Sequence, residues 1–386
     1  MATHRTYLDW NATALLRLEA RDAMLRALEG PGNASSVHAE GRAARQLIES
    51  ARAEVAALVG ARPAQVTFTS GATEANTMAL TPSVGGAGRR DRLFVSAVEH
   101  PSVLSSGRFA PEEVEILPVD ADGVVDLDAL RIALARSDRP LVAVMLANNE
   151  TGVIQPIAPI AQIVHEAGGL LHVDAVQGAG RIECDIEVLG ADLMSLSAHK
   201  LGGPQGIGAL VRRNDIQVEP LIRGGGQERG LRAGTENVAA IAGFGAAARA
   251  VAAGRQAEAT RMADLRERAE AGLKAAFPQA VIFGEGAARL PNTSLFAVSG
   301  LKAETALIAF DLNGIALSSG AACSSGKVAA STVLKGMGVE PALAAGALRL
   351  SLGWSTGEHD IEKWLAALTK VVSGLLIKQQ NPVMAA

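Results

Sequence analysis

In DLMSLSAHKLGGPQGIGAL, residues 192–210, a short apolar run ends in a histidine and a lysine, and a glycine-rich turn leads straight into a second run. That order separates two α/β readings. A dinucleotide-binding loop follows a strand and opens a helix, whereas this GGPQGIG follows the lysine and enters GALVRR (208–213). The stretch therefore reads as strand, polar turn, strand. Lys200 is also the first lysine of the chain, every permanently positive side chain before it being an arginine.

Outward from this pair, further short apolar runs stand at QVTFT (65–69), RLFVSAV (92–98), VEILPV (114–119), LVAVML (141–146) and LLHVD (170–174). Between them AARQLIESARAEVAALVG (43–60) and IAPIAQIVHEAG (157–168) carry apolar residues at helical spacing. This alternation predicts an α/β layer fold whose mainly parallel, seven-stranded sheet gathers polar residues at the carboxyl ends of its strands. After about residue 253 the texture changes. An Ala/Arg/Glu-rich helix over about 255–276 precedes the runs AVIFG, NTSLFAV, GIALSSG and ALRLSLG, and an amphipathic helix runs from 357 to about 377. We expect a large domain over 15–254 and a smaller α+β domain made of 1–14 and 255–386.

A chain of 386 residues, 48% of them hydrophobic, suffices for two packed units. The net charge of -4 and the interspersed charges argue against a nucleic-acid surface. No signal or transit pattern begins the chain and no apolar run approaches a membrane span, so it reads as cytoplasmic, with no membrane partner. Cys184 and Cys323 form no CxxC pair and suggest neither a disulfide framework nor a metal site.

Several motifs fall at the expected strand ends. Lys200 becomes a nucleophile toward carbonyls where its surroundings lower its pKa. Asp174 and Gln177, in HVDAVQ, close a strand, and a buried aspartate there calls for a cation, unless it only caps the next turn. TFTSGATEAN (67–76) offers Gly71, Ala72 and Thr73 at a helix start suited to phosphate, the plain alternative being a capping box with Thr73 as N-cap. His100, in EHPSV, could cover a flat ring and move protons, and Asn149, in NNETGV, is a neutral donor and acceptor. An amine, an acid, an anion cradle and a ring cover are what a pyridoxal 5′-phosphate site requires.

With YLDWNATA (7–14), GNASSVHAEGR (32–42), GGGQERGLRAGTEN (224–237), SSGAACSSG (318–326) and LRLSLG (348–353) added, the chain resembles the class V, fold-type I family of pyridoxal phosphate enzymes. Within it the resemblance is to the cysteine desulfurases of the NifS/IscS type. The resemblance implies that Lys200 binds the cofactor covalently, Asp174 partners its ring nitrogen and Gln177 its ring hydroxyl. It implies that His100 stacks on the ring, and that Gly71, Ala72, Thr73, Ser197 and His199 hold the phosphate. Thr235 would reach the phosphate of a neighbouring subunit, making the active unit a homodimer. Asn33, Asn149 and Arg349 would hold the carboxylate of L-cysteine, the arginine through its two-pronged fork. Ala14, Ala34 and Ala198 depart from the residues usual in the family.

Cys323 lies in a small-residue, polar segment, with the cysteine loop expected at about 319–332, and would take the sulfur as a persulfide, leaving alanine. Lys327 and His100 are candidates to assist its thiolate. Cys184, in RIECDIEVLGAD, reads as structural. No metal is expected, Cys323 being at most a transient contact for an iron-sulfur cluster. The implied partner is an iron-sulfur scaffold or another sulfur acceptor. The competing readings are another class V enzyme, a selenocysteine lyase or aminotransferase, and a non-catalytic sulfur-transfer partner.

Overall fold

The structure, a computed structural model, describes residues 5–86, 88–105, 107–213, 216–319 and 330–380. Cys323 and Lys327 lie outside the described residues. After a two-residue β1 (Thr6–Tyr7), seven strands build one sheet: β2 (Val66–Thr69), β3 (Arg92–Ser96), β4 (Val114–Leu117), β5 (Pro140–Ala143), β6 (Leu170–Asp174), β7 (Leu193–Ser197) and β8 (Gly208–Arg212). Their order across the sheet is β2-β8-β7-β6-β5-β3-β4. Neighbours from β7 to β4 pair in parallel, and β8 alone is reversed, antiparallel to both β7 and β2. The expected mainly parallel sheet is therefore present. The carboxyl ends of β2, β3, β5, β6 and β7 share one edge of it, the usual place for a ligand crevice.

Strands β5, β6 and β7 are buried at every position, as parallel strands covered on both faces must be. Leu171, Val173, Met194 and Leu196 pack on one face with Ile48, Val55 and Phe244. Leu193 and Leu210 pack on the other with Ala75 and Met78 of the helix Ala72–Ala79. The two-residue period of a strand then puts His172, Asp174 and Ser195 on this second face.

The long helix differs from the sequence reading. It runs Val238–Ala276, beginning well before residue 255. Its first turns, VAAIAGFGAAARAVAA, are apolar nearly all round, so they carry no amphipathic period to read. By length and composition this helix could cross a membrane, yet its apolar window is mostly buried inside the protein. Close packing explains the glycines there: a Cβ on Gly245 would stand 2.5 Å from Ala51 Cα. Further along, Met262, Leu265 and Leu273 enter a second core with Leu8, Phe296, Phe310, Leu350 and Trp364.

That second core surrounds β9 (Val281–Ile282), β10 (Thr293–Ala297) and β12 (Leu348–Ser351), an antiparallel sheet in the order β12-β10-β9, while β11 (Ile315–Ala316) pairs in parallel with β1. Leu8 is fully buried in it, and its carbonyl accepts from Ser351 N. This anchorage lays residues 9–13 across the mouth of the large sheet.

At the outer edge of β2 an ion pair stands in for a missing strand. Arg52 Nη1 donates to Val66 O (3.0 Å), Phe68 N donates to Glu228 Oε2 (2.8 Å), and the two side chains pair at 2.6 and 2.8 Å. Glu228 and Arg229 both hold left-handed backbone, φ 46° and 58°, which non-glycine residues adopt only when their surroundings enforce it. Glu228→Ala would leave the buried Arg52 guanidinium with only the half-exposed Glu49 (3.2 Å) as carboxylate partner, and would take the acceptor from Phe68 N. It is expected to lower unfolding stability by about 3–5 kcal/mol, read as a shift of the urea midpoint; an unchanged midpoint would contradict the anchoring role.

Candidate active site

Lys200 closes a single tight turn, Ala198–Lys200, directly after β7. Its Nζ donates to Asn11 O (2.6 Å) and Ala12 O (2.8 Å), carbonyls of the segment that Leu8 anchors. Burial, then the nearby Arg349 and Arg181, lower its pKa to about 7, against the opposing pull of Asp9 and Asp174. Both main causes penalise the ammonium form, so a large share of this amine is free at neutral pH. An ordinary lysine, near 10.4, would be almost wholly protonated.

Asp174 ends β6 and is 6% exposed. Its Oδ1 accepts from Val176 N (3.0 Å), so it does cap the next turn, and its Oδ2 accepts from Asn76 Nδ2 (2.9 Å). Among the described residues it forms no ion pair. A buried carboxylate with two hydrogen bonds and no cation suits a ligand that brings a positive charge.

His100 follows β3. Its Nδ1 accepts from Ser102 N (3.1 Å) and lies 2.8 Å from Ser102 Oγ, so the neutral ring carries its proton on Nε2. Burial lowers its pKa; Asp174 raises it and Lys200 lowers it further. Ser102 Oγ also accepts from Asn76 Nδ2 (2.9 Å), which links His100 through Ser102 and Asn76 to Asp174. Beside it Glu99 is wholly buried, its Oε1 accepts from Met145 N (2.6 Å), and burial raises its pKa well above the carboxylate range.

At the end of β2, Gly71 is the N-cap of the helix Ala72–Ala79 and no side chain caps that end. Thr73 lies inside the helix, which corrects the capping-box alternative. A Cβ placed on Gly71 would meet nothing within 4 Å, while one on Gly208 would stand 2.6 Å from Gly71 C. The cradle is thus open above and seated closely on β8 below. Glu74 fixes it from the side, accepting from Ser70 N (2.7 Å) and Arg232 Nε (3.1 Å). Ser197 is buried beside the lysine turn. His199 Nδ1 lies 3.2 Å from Thr13 Oγ1, and burial, with Lys200 and Arg181, lowers its pKa to about 4, so this ring is neutral.

Arg349, on β12, donates from Nη1 to Asn149 O (2.8 Å) and from Nη2 to Asp9 Oδ1 (2.6 Å), and its buried Nε has no hydrogen-bond partner among the described residues. Gln177 Nε2 donates to Asn11 O (3.1 Å), the carbonyl that Lys200 also uses. Lys200, Asp174, Gln177, His199, Asn149 and Arg349 are therefore joined through short contacts or direct charge. Asn33 and Thr235 stand apart. Both are exposed, Asn33 Oδ1 accepts from Ser35 N (2.9 Å), and neither shares a hydrogen bond with this group. Cys184 is 2% exposed, and burial pushes its thiol up to about 12, which fits a structural cysteine.

Sequence reasoning passed over Asn11, Asn76, Glu99 and Arg181. Asn11 and Asn76 lie inside the quoted motifs YLDWNATA and TSGATEAN. Nothing local marked Arg181, an arginine in a glycine-rich turn.

A mainly parallel sheet with a buried, partly deprotonated lysine and an aspartate free of ion pairs among the described residues at its carboxyl edge is the crevice of an α/β enzyme. Residues 6–364 match the class-V aminotransferase family, to which the chain belongs. The chain is 42% identical to a cysteine desulfurase of Cereibacter sphaeroides over 96% of each chain. It is 39% identical to the cysteine desulfurase IscS of Dictyoglomus turgidum, over 96% of this chain and 95% of that one. The solved NifS-like protein of Rickettsia africae superposes with a TM-score of 0.88 at 36% identity, covering 96% of this chain and 100% of that one.

Proposed function

We propose that this chain is a pyridoxal phosphate-dependent cysteine desulfurase that converts L-cysteine to L-alanine and passes the sulfur to Cys323 as a persulfide, for use in iron-sulfur cluster assembly. The observation that carries the reading is the placement of a partly deprotonated Lys200 and a cation-free, buried Asp174 in one crevice of a class-V fold. The donor set fits the cofactor: an amine for its aldehyde, a carboxylate for its ring nitrogen, and an open helix start at Gly71 for its phosphate. When bound, pyridoxal phosphate supplies an electron-accepting ring that weakens the Cα–H and then the C–S bond of the attached amino acid.

The chain's own residues divide the remaining work. Asp174 would keep the ring nitrogen protonated, and Gln177 would donate to the ring hydroxyl. Gly71, Ala72, Thr73, Ser197 and His199 would hold the phosphate, with Thr235 reaching it from a second copy in a homodimer. Arg349, with Asn33 and Asn149, would bind the substrate carboxylate, the arginine through its guanidinium fork. Lys200, released as an amine, would take the α-proton, with His100 covering the ring and relaying protons from Nε2. The thiolate of Cys323 would then attack the substrate sulfur. An S–S bond would form as the C–S bond breaks, the electron pair would pass to carbon, and two protons, one to the methyl carbon and the one held by Lys200 back to Cα, would complete alanine. We further propose that residues 15–254 form the cofactor domain and that 1–14 with 255–386 form the smaller one. A sulfur-acceptor protein such as an iron-sulfur scaffold would relieve Cys323 of its cargo.

The test is the visible spectrum of the purified protein before and after L-cysteine, with alanine and sulfide measured alongside. A yellow band that shifts, with alanine formed, is the expected result. A yellow protein that forms no alanine would move the assignment to an aminotransferase or a selenium-specific lyase.

A further inference from the structure

Arg181 is a buried guanidinium, 8% exposed, and no carboxylate among the described residues lies within ion-pair distance of it. Its hydrogen bonds run from Nη1 to Gln177, to the backbone carbonyl (2.9 Å) and to the side-chain Oε1. The turn explains this placement. Arg181 N donates to Gly178 O, which folds the chain back so that residue 181 lies beneath residue 177.

Gln177, held by its oxygen, directs Nε2 to Asn11 O, and Lys200 Nζ donates to that same carbonyl. A continuous path therefore joins the guanidinium to the amine. Arg181 and Lys200 also line one small cavity of about 30 Å³ with Trp10, Arg17, Glu258 and Trp354. Glu258 does not neutralise Arg181 there, because it is taken by Arg17 at 2.6 Å.

Resting on the reading of Lys200 as the cofactor lysine, we propose that Arg181 is a positioning residue for the reaction: it orients the Gln177 amide and sets an uncompensated positive charge against Lys200. The charges around Lys200 come from every side. Arg349 on β12 acts in the same sense as Arg181, Asp9 in the segment after β1 and Asp174 on β6 oppose it, and His199 beside it is neutral. The guanidinium also feels its own isolation, since burial and Arg349 bring its pKa down to about 9.

The experiment measures the pH at which Lys200 becomes reactive in the cofactor-free full chain. Acetic anhydride serves as the probe and the Lys200 peptide is quantified by mass spectrometry. Arg181→Met is expected to raise the midpoint by about one pH unit, the size of a close like-charge effect. Arg181→Lys should keep the wild-type midpoint. Arg181→Gln retains a donor for Gln177 without the charge, so it should move the midpoint as methionine does, and it serves if the methionine variant fails to fold.

A merely structural arginine would cost unfolding stability when removed. Removal of an unpaired buried charge should instead leave the urea midpoint unchanged or higher. In the loaded protein, the pH midpoint of the visible band should rise in the same two variants. Wild-type midpoints for Lys200 labelling in both neutral variants would overturn the inference. A wild-type chain that never takes up pyridoxal phosphate would overturn the cofactor reading instead, while the labelling of the cofactor-free chain still decides the role of Arg181.

Discussion

A Lys200→Ala chain is expected to form alanine from L-cysteine at least about 1,000-fold more slowly than the wild type, the scale of removing a positioned acid–base group. It should also lose covalent cofactor. Borohydride reduction of the wild-type protein should fix the cofactor mass on the Lys200 peptide, and the variant should carry none. The sharper comparison is Lys200→Arg, which keeps a cation of similar reach against Asn11 O and Ala12 O. Its guanidinium stays charged where the amine, lowered to about 7, sheds its proton. If the arginine chain retained even a tenth of wild-type activity, charge at this position would be sufficient and the nucleophilic role of Lys200 would be wrong.

The physical basis of this site explains which parts of it were legible in the sequence. Strands buried on both faces are nearly continuous apolar runs, so LLHVD was bounded correctly at 170–174 and GALVRR was one residue long at its end. Where a run ends, the sheet edge begins, and the residues just past the ends of β2, β3, β6 and β7 could be named as one crevice before any coordinates. The first half of the helix Val238–Ala276 was not legible, because an all-apolar helix has neither a polar face nor a period to find.

The supporting groups were hidden for a different reason. Asn11 and Arg181 meet Lys200 only because Leu8 is fixed in the second core and because a glycine turn folds residue 181 under residue 177. Both are tertiary facts. The Arg52–Glu228 pair spans two segments far apart in sequence and completes the edge of β2, a contact that no local pattern announces. Sequence motifs therefore marked most of the polar groups that the fold brings to one crevice, and the fold supplied the neighbours that hold them.

Replacing Cys323 with serine should separate the two halves of the proposed chemistry. Lys200, Asp174 and the Gly71 cradle stand at the edge of the large sheet, so the Cys323→Ser chain should remain yellow and its band should still shift when L-cysteine is added. Sulfur transfer should then stop. A serine hydroxyl is a far weaker nucleophile toward sulfur than a thiolate, which even at an unperturbed pKa of about 8.5 is present at a few per cent at neutral pH. Alanine and sulfide should fall to the level of a control without enzyme, and mass spectrometry should find the extra sulfur on the residue-323 peptide of the wild type alone. Cys184 cannot substitute, since its thiol is buried and pushed up to about 12. Sustained sulfide release by the serine chain would therefore mean that the C–S bond breaks without a protein thiol, and the enzyme would have to be reassigned within its family.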